Sequence, residues 1–137
     1  MDCCMLFSGI NWWAVLVVTV LSFAMGSLWH SNLMFGKAWK KEAKPVFDPS
    51  DKASVVRLFG LSAVHHFIAI VALAVFIGHF GTPLTGLWKG FIISLVFVSS
   101  SIGVTYLFQG RSFRLFFIDA GFYVVFYSVA GLILGAW

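Results

Sequence analysis

Leu115 to Trp137, read as LFFIDAGFYVVFYSVAGLILGAW, holds one charged residue, Asp119, in an otherwise apolar, aromatic or small-residue run. A helix needs about 20 such residues to cross a bilayer core, and this stretch has them. Three more stretches of the same kind lie upstream, at about 10–28, 58–79 and 90–109. Lipid offers backbone groups no hydrogen-bond partners, so each stretch is predicted to be a helix. The predicted fold class is all-α, an integral membrane four-helix bundle forming a single transmembrane domain over 1–137.

Composition agrees with that reading. Hydrophobic residues make up 61% of the chain and charged residues 10%, against about 25% charged in a soluble domain, which excludes a water-soluble core and shell. The net charge of +4 invites a nucleic-acid partner, but the bases sit in loops beside apolar helices, which is a topology signal first. No nucleic-acid partner is expected; the lipid bilayer is. Cys3 and Cys4 are adjacent, which suits neither a disulfide framework nor a four-ligand metal site. Inert thiols and lipid attachment both fit them. Met1-Asp2 opens without a basic region, so the first helix is expected to stay in the mature protein.

Lys37, Lys40, Lys41, Lys44, Lys52 and Arg57 fall in the loop at about 36–57, and Arg111 and Arg114 between the third and fourth helices. Lys89 alone falls on the other side. Eight bases against one place these loops in the cytoplasm and both termini outside it, in a multi-pass protein of the bacterial inner membrane. Pro45 should interrupt any helix in the long loop. Asp48-Pro49-Ser50-Asp51 reads as a helix start with Asp48 as N-cap. Trp29 to Trp39 reads as an interfacial turn or short surface helix. Trp29, Trp39, Lys37, Lys40, Arg111 and Arg114 are its expected interfacial anchors and those of the second basic loop.

Small residues predict where helices pack. Gly131 and Gly135 form a small-xxx-small pair, as do Ser99 and Gly103, and Gly121 adds a thin spot. A weak repeat also stands out: Phe35-Gly36-Lys37-Ala38-Trp39-Lys40 after the first helix, and Phe108-Gln109-Gly110-Arg111-Ser112-Phe113-Arg114 after the third. It fits either two parallel two-helix repeats or two independent membrane-exit turns with aromatic and basic anchors.

Ile10-Asn11-Trp12, Gly26-Ser27-Leu28-Trp29 and Phe35-Gly36-Lys37-Ala38-Trp39, with Tyr106-Leu107-Phe108-Gln109-Gly110-Arg111-Ser112, Leu115 to Gly121 and the closing Gly131 to Trp137, resemble the bacterial membrane proteins grouped as domain of unknown function 1761. The resemblance covers nearly the whole chain and implies a four-helix integral membrane protein. It supplies no activity. The chain departs from that family's pattern at His30, where Tyr is usual, at Asn32, where Pro is common, and at Asp119, where Asn is common.

Depth can be counted at 1.5 Å per residue along a helix. His30 closes helix one, His65 and His66 lie about two turns into helix two, Tyr106 and Gln109 close helix three, and Asp119 follows Arg114 on helix four. Every helix thus brings a polar side chain to the same leaflet. His30, His66 and Asp119 could together offer nitrogen and oxygen ligands to a metal, but no local spacing motif supports a site. Haem or chlorophyll ligation by His30, His65 or His66 is chemically open, though isolated membrane histidines are common, so no cofactor is expected. A proton relay through Asp119 and the histidines is a second reading. An interfacial network, with Asp119 held by Arg111, Arg114 or a histidine, is a third. Ser99, Ser100 and Ser101 lie nearer mid-membrane and either bond the preceding turn or line a contact. His79 is expected at the outer interface.

Two function classes follow. The first is a helix-packing accessory or self-associating structural subunit, alone as a homo-oligomer or within a larger membrane complex. The alternative is a small oligomeric transporter or channel for protons or a small ion or solute, using His30, His65, His66, Ser99, Ser100, Tyr106 and Asp119. An enzyme is less favoured, because no nucleophile–base pair stands out.

Overall fold

The computed structural model describes residues 7–137; Cys3 and Cys4 lie outside the described residues. Its order is α1 (Trp12–Trp29), α2 (Gly36–Ala43), α3 (Lys52–Ile77), α4 (Pro83–Ile92), a π-helical segment (Ile93–Val98), α5 (Ser99–Gln109) and α6 (Phe113–Ala136). Four spans are long and apolar enough to cross a membrane: α1, α3, the continuous Pro83–Gln109 rod and α6. We call the end where α1 and α5 finish the basic end, and the other the terminal end.

The caps explain where each helix starts and stops. The Asn11 side chain accepts from the backbone N–H groups of Trp13 and Ala14 and opens α1. In the long loop, α2 closes at Lys44, whose φ of 46° is left-handed, and Pro45 follows it. Asp51, not Asp48, is the N-cap of α3: it accepts from Ala53 N–H at 3.1 Å. Asp48 instead bonds the backbone and hydroxyl of Ser50 in the preceding turn, which the Pro49 at the turn's second position favours. The third span begins at Pro83 rather than near Gly90. A reciprocal Thr82–Thr85 capping box with Pro83 at the first helical position starts it there.

That earlier start places Lys89 inside α4 rather than at its mouth. Its ammonium donates to the carbonyls of Phe76 and Ile77, at 2.9 and 3.1 Å. It therefore closes the C-terminus of α3, where a cation is electrostatically welcome.

Spans three and four meet backbone to backbone in the terminal half. A Cβ on Gly86 would collide with the Gly131 carbonyl, and one on Gly131 with the Gly86 carbonyl. Gly90 faces the Tyr127 carbonyl and Gly135 the Thr82 carbonyl in the same way. Dispersion between closely approached backbones is what holds helices together in lipid. The expected packing role of Gly131 and Gly135 is thus given a partner: they face the start of the third span in their own chain. The Ser99–Gly103 pair makes no such seam. Ser99 is buried on the Ser94 carbonyl, and Gly103 faces the Phe116 ring.

Beside the seam lies the apolar core, with Val15, Val18, Ile70, Phe126 and Ala130 fully buried. The π segment follows Gly90. There the Ser94 hydroxyl donates to Gly90 and Phe91, and the Ser99 hydroxyl to Ser94 five residues back. A π turn inserted in a helix re-aims what comes after it.

The repeat around Gly36 and Gly110 does not extend to geometry. Gly36 is buried at the start of α2, where a Cβ would strike the backbone of His30 and Ser31. Gly110 ends α5 in the left-handed conformation, φ 64°, with open space around it. One glycine permits a close approach, the other a reversal of direction.

Candidate functional site

Toward the basic end the bundle opens. α3 approaches α4 near their shared connection but makes no comparable approach to α5. The resulting crevice has a volume of about 610 Å³. Leu58, Phe59, Ser62 and His66 form one wall and Ile102 and Tyr106 the other, with residues of α1 and α6 behind them.

The amphipathic α2 crosses the basic end. Arg111 donates to the Ala43 carbonyl at 3.1 Å, and the Ser112 hydroxyl to Glu42 at 2.6 Å. These bonds tie α2 to the turn before α6, while Lys37, Lys40 and Lys41 stay exposed. Docked this way, α2 turns Trp39 inward. Its indole N–H donates to Asp119 Oδ1 at 2.9 Å. The Tyr106 hydroxyl donates to Asp119 Oδ2 at 2.5 Å. His30 Nε2 lies 3.6 Å from Oδ1. Asp119, on the second turn of α6, is thereby faced from α1, α2 and α5 at once.

Two of the expected anchors make specific contacts within the chain. Trp39 donates to a carboxylate. Trp29 donates its indole N–H to the Ile118 carbonyl at 3.0 Å and packs on Phe35 and Phe122; Gly121 provides the room for its ring. Arg111 holds α2, and neither Arg111 nor Arg114 pairs with Asp119 among the described contacts.

The histidines divide sharply. His30 Nδ1 lies 3.0 Å from the Gly26 carbonyl, and its ring packs against Trp39 and Phe122. A carbonyl only accepts, so Nδ1 carries a proton, and a bond from Nε2 to Asp119 requires the imidazolium. Just past the end of span one, the nearby Asp119 carboxylate holds the His30 pKa above its ordinary 6.5, against the opposing pull of partial burial. His66 Nδ1 likewise faces the Ser62 carbonyl at 2.9 Å. The residue lines the crevice, and its Nε2 is buried there without a hydrogen-bond partner. His65 points away; it bonds only the Leu61 carbonyl and is exposed on the outer surface. His79 is exposed at the terminal end.

Of the sequence-predicted polar set, His30, His66, Tyr106 and Asp119 share the crevice, and His65, Ser99 and Ser100 do not. Ser100 is exposed, and Ser99 and Ser101 bond carbonyls of their own helix. Adjacent helix positions point about 100° apart, so the members of a run cannot all face one cavity. Among the described residues no three His, Cys, Asp or Glu side chains form a metal-holding group. His30, His66 and Asp119 line the same crevice. The aromatic wall of Phe23, Phe59, Phe122 and Tyr123 lacked any signal in the sequence beyond general aromatic richness.

Comparisons with curated proteins and with solved structures give no match. The sequence model of one family, described as "Protein of unknown function (DUF1761)", matches residues 13–135. That span includes all four membrane helices, the crevice and the glycine seam, and the chain therefore belongs to the DUF1761 family.

Proposed function

We propose that this is a multi-pass protein of the bacterial inner membrane, with its basic end in the cytoplasm, that takes up a proton or small solute in the crevice as a step in transport. The eight-to-one distribution of bases supports the orientation. One observation carries the function: side chains from all four spans and α2 converge on a crevice whose centre is a membrane carboxylate facing a titratable histidine. An ionisable group within a membrane span is costly and rare, which makes it a marker for pathways and relays. The fully buried layer of Val15, Val18, Ile70 and Phe126 closes the crevice off from the terminal end. The crevice is therefore shut toward the terminal end in this conformation, and passage requires that layer to rearrange.

The accessory, self-associating role would use glycine faces and aromatic surfaces for helix contacts. Gly131 and Gly135 are taken up against Gly86 and Thr82 of the same chain, which leaves exposed aromatic surfaces such as Trp13, Phe97 and Phe117 to carry it. The transport reading is tested in proteoliposomes loaded with a pH-sensitive dye and challenged with ion and pH gradients. Wild type is expected to give flux, Asp119→Asn to abolish it, and His65→Ala, outside the crevice, to leave it unchanged. No flux across the panel, or equal flux in Asp119→Asn, would sink the proposal.

A further inference from the structure

We infer that the crevice binds a protonated amine with an apolar body, seated at Asp119 in exchange for the proton otherwise held by His30. This rests on the crevice being the working site and names what enters it.

The lining selects the sign of charge. Eight bases gather at the basic end, yet no Lys or Arg lines the crevice, and Asp119 is its one acid. Phe23, Trp39, Phe59 and Phe122 supply much of the remaining wall. Ring faces attract cations and repel anions. A wall of rings around one carboxylate therefore favours a cation, and the aromatic and aliphatic surfaces favour one with an apolar body. A crevice of about 610 Å³ suits a small organic molecule, for which pockets run from about 300 to 1,000 Å³.

The hydrogen-bonding groups select an ammonium. With Nδ1 of both His30 and His66 facing helix carbonyls, each ring in its neutral form has Nε2 as an acceptor, and a side-chain rotation of His66 would be needed to bring its buried Nε2 to a ligand. His66 Nε2 has no partner. His30 Nε2 stands 3.6 Å from Asp119 Oδ1, too far for a hydrogen bond. The two donors nearest Asp119, on Trp39 and Tyr106, already point at it. The Ser27, Ser62 and Tyr123 hydroxyls that also line the crevice can accept as well as donate, so the lining can meet an ammonium, which has three donors and no acceptor. The way in is lateral: α3 and α5 do not close on each other, so an amphiphile can arrive from the membrane.

The exchange follows from the charges facing His30. Asp119 and Tyr123 come from α6, Tyr106 from α5 with Arg111 just beyond that helix, and His66 from α3; α2 contributes uncharged Trp39. Asp119 is the one counter-charge among them. An imidazolium at His30 and an ammonium compete for it, so binding the amine expels one proton from His30 to water.

The test uses the full chain in lipid nanodiscs with 2-phenylethylammonium as ligand. Calorimetry in buffers of different ionisation enthalpy counts the protons released. Saturable binding is expected, with affinity rising as pH rises, by up to about tenfold per unit while free His30 is protonated. The neutral isostere 2-phenylethanol should bind at least about tenfold weaker. Asp119→Asn should lose binding, and His30→Gln should bind without releasing a proton. Equal binding of 2-phenylethanol, wild-type binding by Asp119→Asn, or unchanged proton release in His30→Gln would each overturn the assignment. The isostere and His30→Gln keep it testable if Asp119→Asn does not fold. Asp119-dependent proton flux without amine binding would remove the ligand assignment and leave the transport reading; loss of both would remove the two together.

Discussion

The two halves of this bundle are built from opposite materials. In the terminal half, Gly86, Gly90, Gly131 and Gly135 let spans three and four touch through their backbones, and the neighbouring core is fully buried. In the basic half, Phe23, Phe59, Tyr106 and Phe122 keep the helices apart around an open crevice. The π segment lies between the two along span three. Small residues make a tight seam, and large rings line the place where polar groups gather. A membrane bundle has no hydrophobic effect to close such a gap, so the gap persists wherever close packing is not specified.

The seam is the easiest half to break. Gly131→Leu must push a side chain into the Gly86 carbonyl, and a loss on the order of 3 kcal/mol or more is expected. It should show as aggregation or early melting in detergent. Near-normal melting would mean the helices are not held by this contact.

The crevice half is sharpened by pH. Because Asp119 raises the His30 pKa, the pair stabilises the fold fully below the ordinary value near 6.5. That contribution is lost as pH rises through the raised value. Thermal melting should therefore fall across this window in wild type, and that slope should flatten in Asp119→Asn. The same slope in both proteins would remove the His30–Asp119 coupling.

A smaller effect belongs to the terminal end. Lys89→Met frees the Phe76 and Ile77 carbonyls and should cost about 1 kcal/mol, read as faster hydrogen exchange at the end of α3. Smallest of all is Gly60→Ala. Nothing lies within 4 Å of where its Cβ would sit, so helix propensity alone should add about 1 kcal/mol or less. A destabilised Gly60→Ala would mean the basic half is more tightly packed than described.

How much of this was legible in the sequence divides along the same line. The spans could be read because length and apolarity are one-dimensional properties, and the gathering of His30, Tyr106 and Asp119 at one level followed from counting depth. The seam was half legible: Gly131 and Gly135 stand out, but Gly86, four before Gly90, lies outside the apolar stretch at about 90–109 and leaves Gly90 without its pair. The Thr82-Pro83 start signal could have recovered it. Trp39 could not be assigned, because an interfacial anchor and a carboxylate donor have the same composition; only the docking of α2 by Arg111 and Ser112 turns it inward. His66 and His65 were indistinguishable until the rotation of α3 was fixed.

The contrast between a closed seam and an open crevice is the central claim, and thiol accessibility tests it most directly. With Cys3 and Cys4 replaced by serine, Ser62→Cys on the crevice wall and Ser94→Cys, at a fully buried position, are exposed in membranes to a water-soluble maleimide. Rapid labelling of Ser62→Cys, with Ser94→Cys left unlabelled in the native bundle, is the expected result. Labelling of both alike, or of Ser94→Cys alone, would contradict it.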